Sequence, residues 1–170
     1  MININYAKIK PLDISNAPGI SSSIFFSGCN HKCDGCFNSI AQDFNYGQPY
    51  TKEVEDKFIE YLKHPQVKNA CILGGEPFQQ NLDILLNLVK RIKTETNVQI
   101  WIWSGYTYEE LIKNYKAREI LNYIDVLVDG RFILEEKDLN LKYRGSRNQR
   151  VIDVQKTLNK NTIISYLITS

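Results

Sequence analysis

The sequence lacks any long hydrophobic run and any marked excess of charge of one sign. No stretch of the chain approaches the ~20 consecutive apolar residues that a membrane-spanning helix requires. The chain has 21 basic and 19 acidic residues, a net charge of only +2. Such a balance argues against a protein that binds nucleic acid through a broad basic surface. We therefore expect neither a membrane nor a nucleic acid as a partner.

The N-terminal segment also lacks the charged region and apolar core of a secretory signal, so we expect a cytoplasmic protein. Cysteines in that compartment bind metals or act in catalysis more often than they form disulfides. Internal repeats, low-complexity tracts and linker-like runs are absent as well. With 170 residues, 43% of them hydrophobic, the chain is predicted to form one domain, residues 1–170, around its own core.

Apolar segments of two kinds alternate along the chain. Short apolar runs predict buried strands over residues 22–27, 70–73, 98–103 and 124–128, with 163–168 as a candidate last strand. Helical spacing predicts helices over residues 52–63 and from residue 82 onwards, with Thr51 and Asn81 as N-caps. Thr107 and Glu110 are predicted to form a capping box for a further helix.

This alternation predicts βαβ units and a mostly parallel sheet, the α/β class. A complete eight-stranded barrel usually takes about 250 residues, so we expect a partial, open (β/α) barrel. In such folds the functional residues gather at the carboxyl ends of the strands. Residues 29–36, which contain three cysteines and are called the cysteine loop, follow a predicted strand, as do residues 74–76, 104–105 and 129–130. We expect all four segments to converge on one rim.

Cys29, Cys33 and Cys36 have the spacing C-x3-C-x2-C. Thiolates at such short intervals can surround one soft metal centre. Gly35 gives the loop the backbone freedom that a tight turn demands. The spacing therefore predicts a metal centre at this loop.

A structural zinc site is the alternative, but it prefers four ligands. The fourth would have to be Cys71, His31 or His64. Cys71 lies within a predicted apolar strand, where an isolated cysteine is most often a small buried hydrophobe. A cluster with three protein thiolates is therefore favoured over zinc.

Followed by the aromatic Phe37, the cysteine spacing resembles the signature of the radical SAM superfamily. The resemblance implies that Cys29, Cys33 and Cys36 hold three irons of a 4Fe-4S cluster. The fourth iron would chelate the amino and carboxylate groups of S-adenosylmethionine (SAM). An electron from the cluster would then split SAM into methionine and a 5′-deoxyadenosyl radical, and Phe37 would pack beside the cluster or the adenine.

Gly74, Gly75 and Glu76 end a predicted strand, where glycines let the backbone approach a ligand. The resemblance implies that this Gly-Gly-Glu element binds the amino group of SAM, since a carboxylate forms charge-assisted bonds with an ammonium. Ser104, at the end of the next predicted strand, is a further candidate contact to SAM. The predicted cofactor-binding residues are Gly35, Cys36, Phe37, Gly74, Gly75, Glu76 and Ser104.

Further segments resemble one family of this superfamily, the activating proteins of anaerobic ribonucleoside-triphosphate reductases. They are the Cys-x-His-Lys-Cys-x-Gly-Cys loop, the Trp-x-Gly-Tyr stretch 103–106, Val-Asp-Gly at 128–130 and the arginine-rich run 144–150. The resemblance spans roughly residues 17–153. Glu76 replaces an aspartate found in many members, and Arg147 replaces a residue that is often small or acidic.

The family resemblance implies a protein substrate: the radical would take a hydrogen from a glycine of the large reductase subunit and leave a glycyl radical. A low-potential donor such as reduced flavodoxin would supply the electron, and no side chain need act as a catalytic acid or base. We hypothesise that Arg144, Asn148 and Arg150 serve recognition of the reductase or of the carboxylate of SAM, and not the fold.

Four alternatives remain open at this point. The chain could activate another glycyl-radical enzyme such as pyruvate formate-lyase, or could be a radical SAM enzyme for a small molecule. From a different class, it could be an electron-carrying iron–sulfur protein or a zinc module. The last two would have no use for a Gly-Gly-Glu element at a neighbouring strand end.

Overall fold

Strands and helices alternate through the central part of the chain, as the apolar pattern predicts. The computed structural model describes residues 4–166. The strands are β1 (Asn5–Asp13), β2 (Ile20–Phe26), β3 (Gln48–Pro49), β4 (Val67–Gly74), β5 (Gln99–Trp103), β6 (Val126–Asp129) and β7 (Arg150–Asp153). The helices are α1 (Lys52–Leu62), α2 (Leu82–Glu95), α3 (Tyr108–Leu111), α4 (Tyr115–Leu121) and α5 (Val154–Lys160).

All seven strands form one sheet in the order β3-β1-β2-β4-β5-β6-β7. The neighbouring strands β2, β4, β5 and β6 pair in parallel. Antiparallel pairs occur on both sides of them, where β1 pairs with β2 and with β3, and where β7 pairs with β6. The prediction of an open, mostly parallel α/β sheet is confirmed. Within the described residues β3 and β7 are the edges and the sheet is not closed into a barrel, so a barrel of the radical SAM type stays a prediction.

The two faces of the sheet differ in what covers them. On β4 and β5, Ile72 and Ile102 point to a core built with helices α1, α2, α4 and α5, which we call the helix face. Their neighbours Cys71 and Trp101 point the other way, into a smaller cluster on what we call the cleft face. Successive side chains of a strand alternate between the faces, so one strand serves both.

Side-chain caps fix where the helices begin. Thr51 Oγ1 accepts a hydrogen bond from the backbone N–H of Val54 at 3.2 Å, and Asn81 Oδ1 accepts one from Asp83 at 3.0 Å. Both predicted N-caps are confirmed. The Thr107 hydroxyl likewise accepts from the N–H of Glu110 at 3.2 Å. Among the described residues, however, the Glu110 carboxylate makes no return bond, so only half of the predicted capping box forms.

Several boundaries differ from the sequence-based prediction. Strands β1, β3 and β7 were not predicted, and the predicted strand over 124–128 begins later, at Val126. In the candidate strand over 163–168, Ser165 makes only an isolated antiparallel bridge to Ile152, and residues 167–168 lie outside the described residues. None of the helices in residues 4–166 is long and apolar enough to cross a membrane.

Candidate functional site

A cleft of about 550 Å³ opens on the cleft face, at the carboxyl ends of β2, β4, β5 and β6. The predicted site residues that line it are Cys29, Cys33, Cys36, Phe37, Gly74, Gly75, Glu76 and Ser104. Gly35 differs from the rest: it is exposed and lines a second depression, which Cys33 and Cys36 also line. The structure therefore brings all but one of the predicted cofactor-binding residues together.

The cysteine loop is anchored at its base by backbone hydrogen bonds. The N–H of Gly28 donates to the carbonyl of Ala41 at 2.7 Å, and that of Cys29 to Gln42 at 3.0 Å. All three thiols are partly buried. Burial raises the pKa of Cys29 and of Cys33; the charge of Glu76 raises the pKa of Cys29 further, and the charges of neighbouring cysteines raise both. All three cysteines line the same cleft.

The donor set fits an iron–sulfur cluster better than a single metal ion. Within residues 4–166, no three His, Cys, Asp or Glu side chains come close enough to bind one ion. A 4Fe-4S cluster needs only one thiolate on each iron, and three thiols around one cleft meet that need.

The candidate fourth ligands for zinc are placed elsewhere. Cys71 is fully buried in β4, and burial raises the pKa of its thiol to about 12. His64 is exposed, and its ring accepts a hydrogen bond from the N–H of Gln66. His31 does face the cleft, but both of its ring nitrogens have other partners.

Glu76 is completely buried at the centre of the rim. Its Oε1 lies 2.8 Å from His31 Nε2 and accepts from the N–H of Gly105 at 2.6 Å. Its Oε2 accepts from the N–H of Phe78 and from the hydroxyl of Ser104, both at 2.9 Å. An ionised carboxylate offers about four lone-pair sites, so donors from this chain occupy them all. Ser104 is thereby placed as a partner of Glu76.

The two glycines permit a close approach between strand ends. Gly74 has a φ of +116°, and a Cβ on it would lie 2.4 Å from the carbonyl oxygen of Phe26. A Cβ on Gly75 would lie 2.4 Å from the carbonyl oxygen of Gly28. Side chains rarely tolerate that φ or such distances. The backbone itself therefore requires both glycines, quite apart from any ligand.

His31 is the residue whose importance the sequence analysis missed. Its ring contacts Glu76 through Nε2, accepts from Arg131 Nε through Nδ1 at 3.2 Å, and meets Tyr106 edge-on with the ring centroids 4.7 Å apart. These partners follow β4, β5 and β6. The sequence offered one signal, the position of His31 between two cysteines, but suggested only zinc ligation.

The arginine-rich run is held mainly by contacts inside the chain. Arg150 forms ion pairs with Asp129 at 2.6 Å and Glu109 at 2.7 Å. Asn148 Nδ2 donates to the carbonyl of Arg131, and Arg144 donates to the carbonyl of Gln149. The expectation that the carboxylate partner of this run comes from outside the chain is therefore wrong for Arg150, whose carboxylate partners belong to the same chain; recognition of the reductase by the run stays a prediction. Arg144 also lines the cleft.

Comparisons with known proteins identify the family of the chain and the kind of cluster domain it contains. The family described as a 4Fe-4S single cluster domain matches residues 15–152. The anaerobic ribonucleoside-triphosphate reductase-activating protein of Vibrio cholerae is 45% identical over 150 residues, which cover 86% of this chain and 96% of that protein. This chain belongs to the same family.

Other members of the activating-protein family show how far the similarity extends. The protein of Escherichia coli K12 is 42% identical over 152 residues, 87% of this chain and 97% of its own length. The protein of Enterobacteria phage T4 is 36% identical over 152 residues, 87% of this chain and 93% of its own length. The family predicted from the sequence and its 4Fe-4S domain are confirmed.

Proposed function

We propose that this chain is a radical SAM activase that generates a glycyl radical on the large subunit of an anaerobic ribonucleoside-triphosphate reductase. One observation carries the proposal: three partly buried cysteines and the Gly74–Glu76 segment line a single cleft. An iron–sulfur protein that only carries electrons needs the cysteines but has no use for the Gly74–Glu76 segment. The names of the relatives support the reductase as the target.

Cys29, Cys33 and Cys36 would hold the cluster, which leaves one iron without a protein thiolate. A cluster held there would supply the one electron that splits the sulfur–C5′ bond of SAM into methionine and a 5′-deoxyadenosyl radical, and a hydrogen atom from the glycine Cα would convert that radical to 5′-deoxyadenosine. An external donor of low potential, such as reduced flavodoxin, restores the electron.

The chain's own task is to bind and orient SAM and the partner. The amino group of SAM is assigned to the backbone of the Gly74–Glu76 segment, next to the cysteine loop. The acceptor sites of the buried Glu76 carboxylate are already occupied by donors from the chain, so the carboxylate holds the segment in place, and Ser104 supports it there. Arg144 lines the same cleft and suits a carboxylate of the ligand or the partner. Phe37 is 65% exposed at the cleft, where it can pack on the adenine or the partner. Hydrogen abstraction needs no acid or base from the chain.

Cleavage of SAM tests the proposal directly. Anaerobically reconstituted protein should hold about four irons and four sulfides per chain, and with dithionite and SAM it should release 5′-deoxyadenosine, measured by chromatography. Iron without deoxyadenosine would indicate an electron carrier. Stoichiometric zinc with no iron in anaerobically purified protein would contradict the proposal altogether.

A further inference from the structure

We propose that His31 is the positioning residue of the cysteine loop: its bond to Glu76 fixes the loop against the Gly74–Glu76 segment. This inference rests on the proposed function for the identity of the ligand. The contacts that carry it belong entirely to the chain, because each of them joins two described side chains or backbone groups.

The partners of His31 define which ring nitrogen carries the proton. Arg131 Nε can only donate, and it lies 3.2 Å from Nδ1, so Nδ1 is the acceptor. The ring proton is then on Nε2, which donates to Glu76 Oε1 at 2.8 Å. A ring held from both nitrogens has a defined tautomer and orientation.

His31 connects the cysteine loop, which is proposed to hold the cluster, with the Gly74–Glu76 segment, which is proposed to bind SAM. Of the four donors to Glu76, the other three follow β4 or β5: Phe78, Ser104 and Gly105. His31 is the donor that comes from the cysteine loop. Because Cys29 and Cys33 lie two residues before and after it, a displacement of the imidazole would displace both thiols relative to the segment assigned to SAM.

Packing leaves the imidazole little freedom to move. Its side chain is only 5% exposed, and Tyr106 meets it edge-on. A Cβ on Gly105 would lie 2.5 Å from the ring, so glycine at that position makes room for it. The Tyr106 hydroxyl in turn accepts from Gln79, whose side-chain oxygen accepts from the N–H of Asn30 in the cysteine loop. Two sets of contacts, one through His31 and one through Gln79, therefore hold the cysteine loop against the carboxyl ends of the strands.

The experiment separates positioning from iron binding. His31→Ala removes the donated bond but no thiol, so we expect about four irons per chain. Loss of a bond that orients a ligand-holding element typically costs roughly ten- to a hundredfold in affinity or activity, so we expect SAM binding to weaken about tenfold. The change that SAM causes in the electron paramagnetic resonance (EPR) spectrum of the reduced cluster should also diminish. His31→Gln, which can still donate to Glu76, should restore much of both.

His64→Ala is the matched control, since His64 is the only other histidine of the chain, and it should behave as the parent. SAM binding by His31→Ala at the parental strength would overturn the inference, as would a His31→Gln variant no better than His31→Ala. Loss of iron from His31→Ala would overturn it too, because His31 would then serve the cluster itself.

Failure of the proposed function is distinguishable from failure of this inference. If the parent protein does not cleave SAM, thermal unfolding of the metal-free variants still measures the His31–Glu76 bond. We expect His31→Ala to unfold at a lower temperature than the parent and His31→Gln to recover part of the difference. Equal unfolding temperatures for all three proteins would contradict the inference without reference to SAM.

Discussion

The helix face and the cleft face of the sheet use the same strands for different purposes. On β4, Ile72 is completely buried beneath the helices, whereas the next residue, Leu73, lines the cleft. On β5, Ile102 and Trp103 divide in the same way. Residues that stabilise the core and residues that line the cleft are therefore adjacent in the sequence of one strand. Parallel strands in the centre of a sheet are apolar on both faces, so their sequences do not reveal which face is open.

The largest expected effect is the loss of SAM cleavage when one of the three cysteines that line the cleft is replaced. Cys33→Ala should abolish 5′-deoxyadenosine formation, because one iron would lose its thiolate. Cys71→Ala is the matched control on the same face of the sheet: it lies buried in β4, and it should keep SAM cleavage at the cost of some packing. Loss of iron from Cys71→Ala would show that Cys71 contributes to the cluster, and would contradict its assignment as a packing residue.

The second prediction compares neighbouring residues on β4. Ile72→Ala should lower the free energy of unfolding of the metal-free protein by about 2–5 kcal/mol, since it leaves a cavity in the helix-face core. Leu73→Ala should cost less, because its side chain is partly exposed, yet it should weaken SAM binding more. Urea unfolding and SAM titration measure the two effects. Equal losses of stability would show that both faces contribute alike to the fold.

The third prediction concerns a buried carboxylate beside the cleft. Hydrogen bonds from Ser23, Ser15 and Asn16 lower the pKa of Asp13 to about 2, although burial opposes the shift. The group therefore stabilises the fold above its unfolded pKa of 3.8. That contribution, about 2 kcal/mol, is lost as the pH falls through the folded pKa of about 2.

Asp13→Asn should abolish this part of the acid dependence and should lower stability at pH 7. Unfolding measured between pH 7 and pH 2 checks both expectations. The exposed Asp34 provides the control, since Asp34→Asn should leave the pH profile as it is in the parent. A profile that is unchanged in Asp13→Asn would contradict the hydrogen-bond network around this carboxylate.

The fourth prediction is the smallest and tests the corrected role of Arg150. Asp129 and Glu109 raise the pKa of its guanidinium, and Asp129 is almost completely buried. Arg150→Ala should lower stability by about 1–2 kcal/mol, because a buried acceptor loses its charged donor. Arg147→Ala, at an exposed position, should change stability by less than about 0.5 kcal/mol. Equal stability of both variants and the parent would favour the recognition hypothesis.

The fold was predictable where the pattern is strong and local. The segments that became α1, β4, α2 and β5 have apolar residues at regular spacing and clear caps. Strand β1 gave a weaker signal, because it contains Pro11 and exposes Lys8 and Leu12. Strand β7 has only four residues and lies within a polar tail, so its pairing with β6 could not be predicted from its composition.

The site residues also differ in how far the sequence alone predicts them. The three cysteines lie within eight residues of each other, so their spacing is visible in the sequence. The partners of Glu76 are distant in sequence: Ser104 is 28 residues away and His31 is 45 residues away. Arg150 has no acidic neighbour in sequence before Asp153, and its partners lie 21 and 41 residues earlier. Contacts of this kind depend on the fold.

The proposed function requires this chain to generate a radical on a reductase. The direct measurement is the EPR spectrum of the large subunit of an anaerobic ribonucleoside-triphosphate reductase after anaerobic incubation with the reconstituted chain, SAM and dithionite. A doublet signal that collapses when the subunit's glycines are α-deuterated, and that is absent with Cys33→Ala, is the expected result. Abundant 5′-deoxyadenosine with no such radical on the subunit would contradict the proposed function.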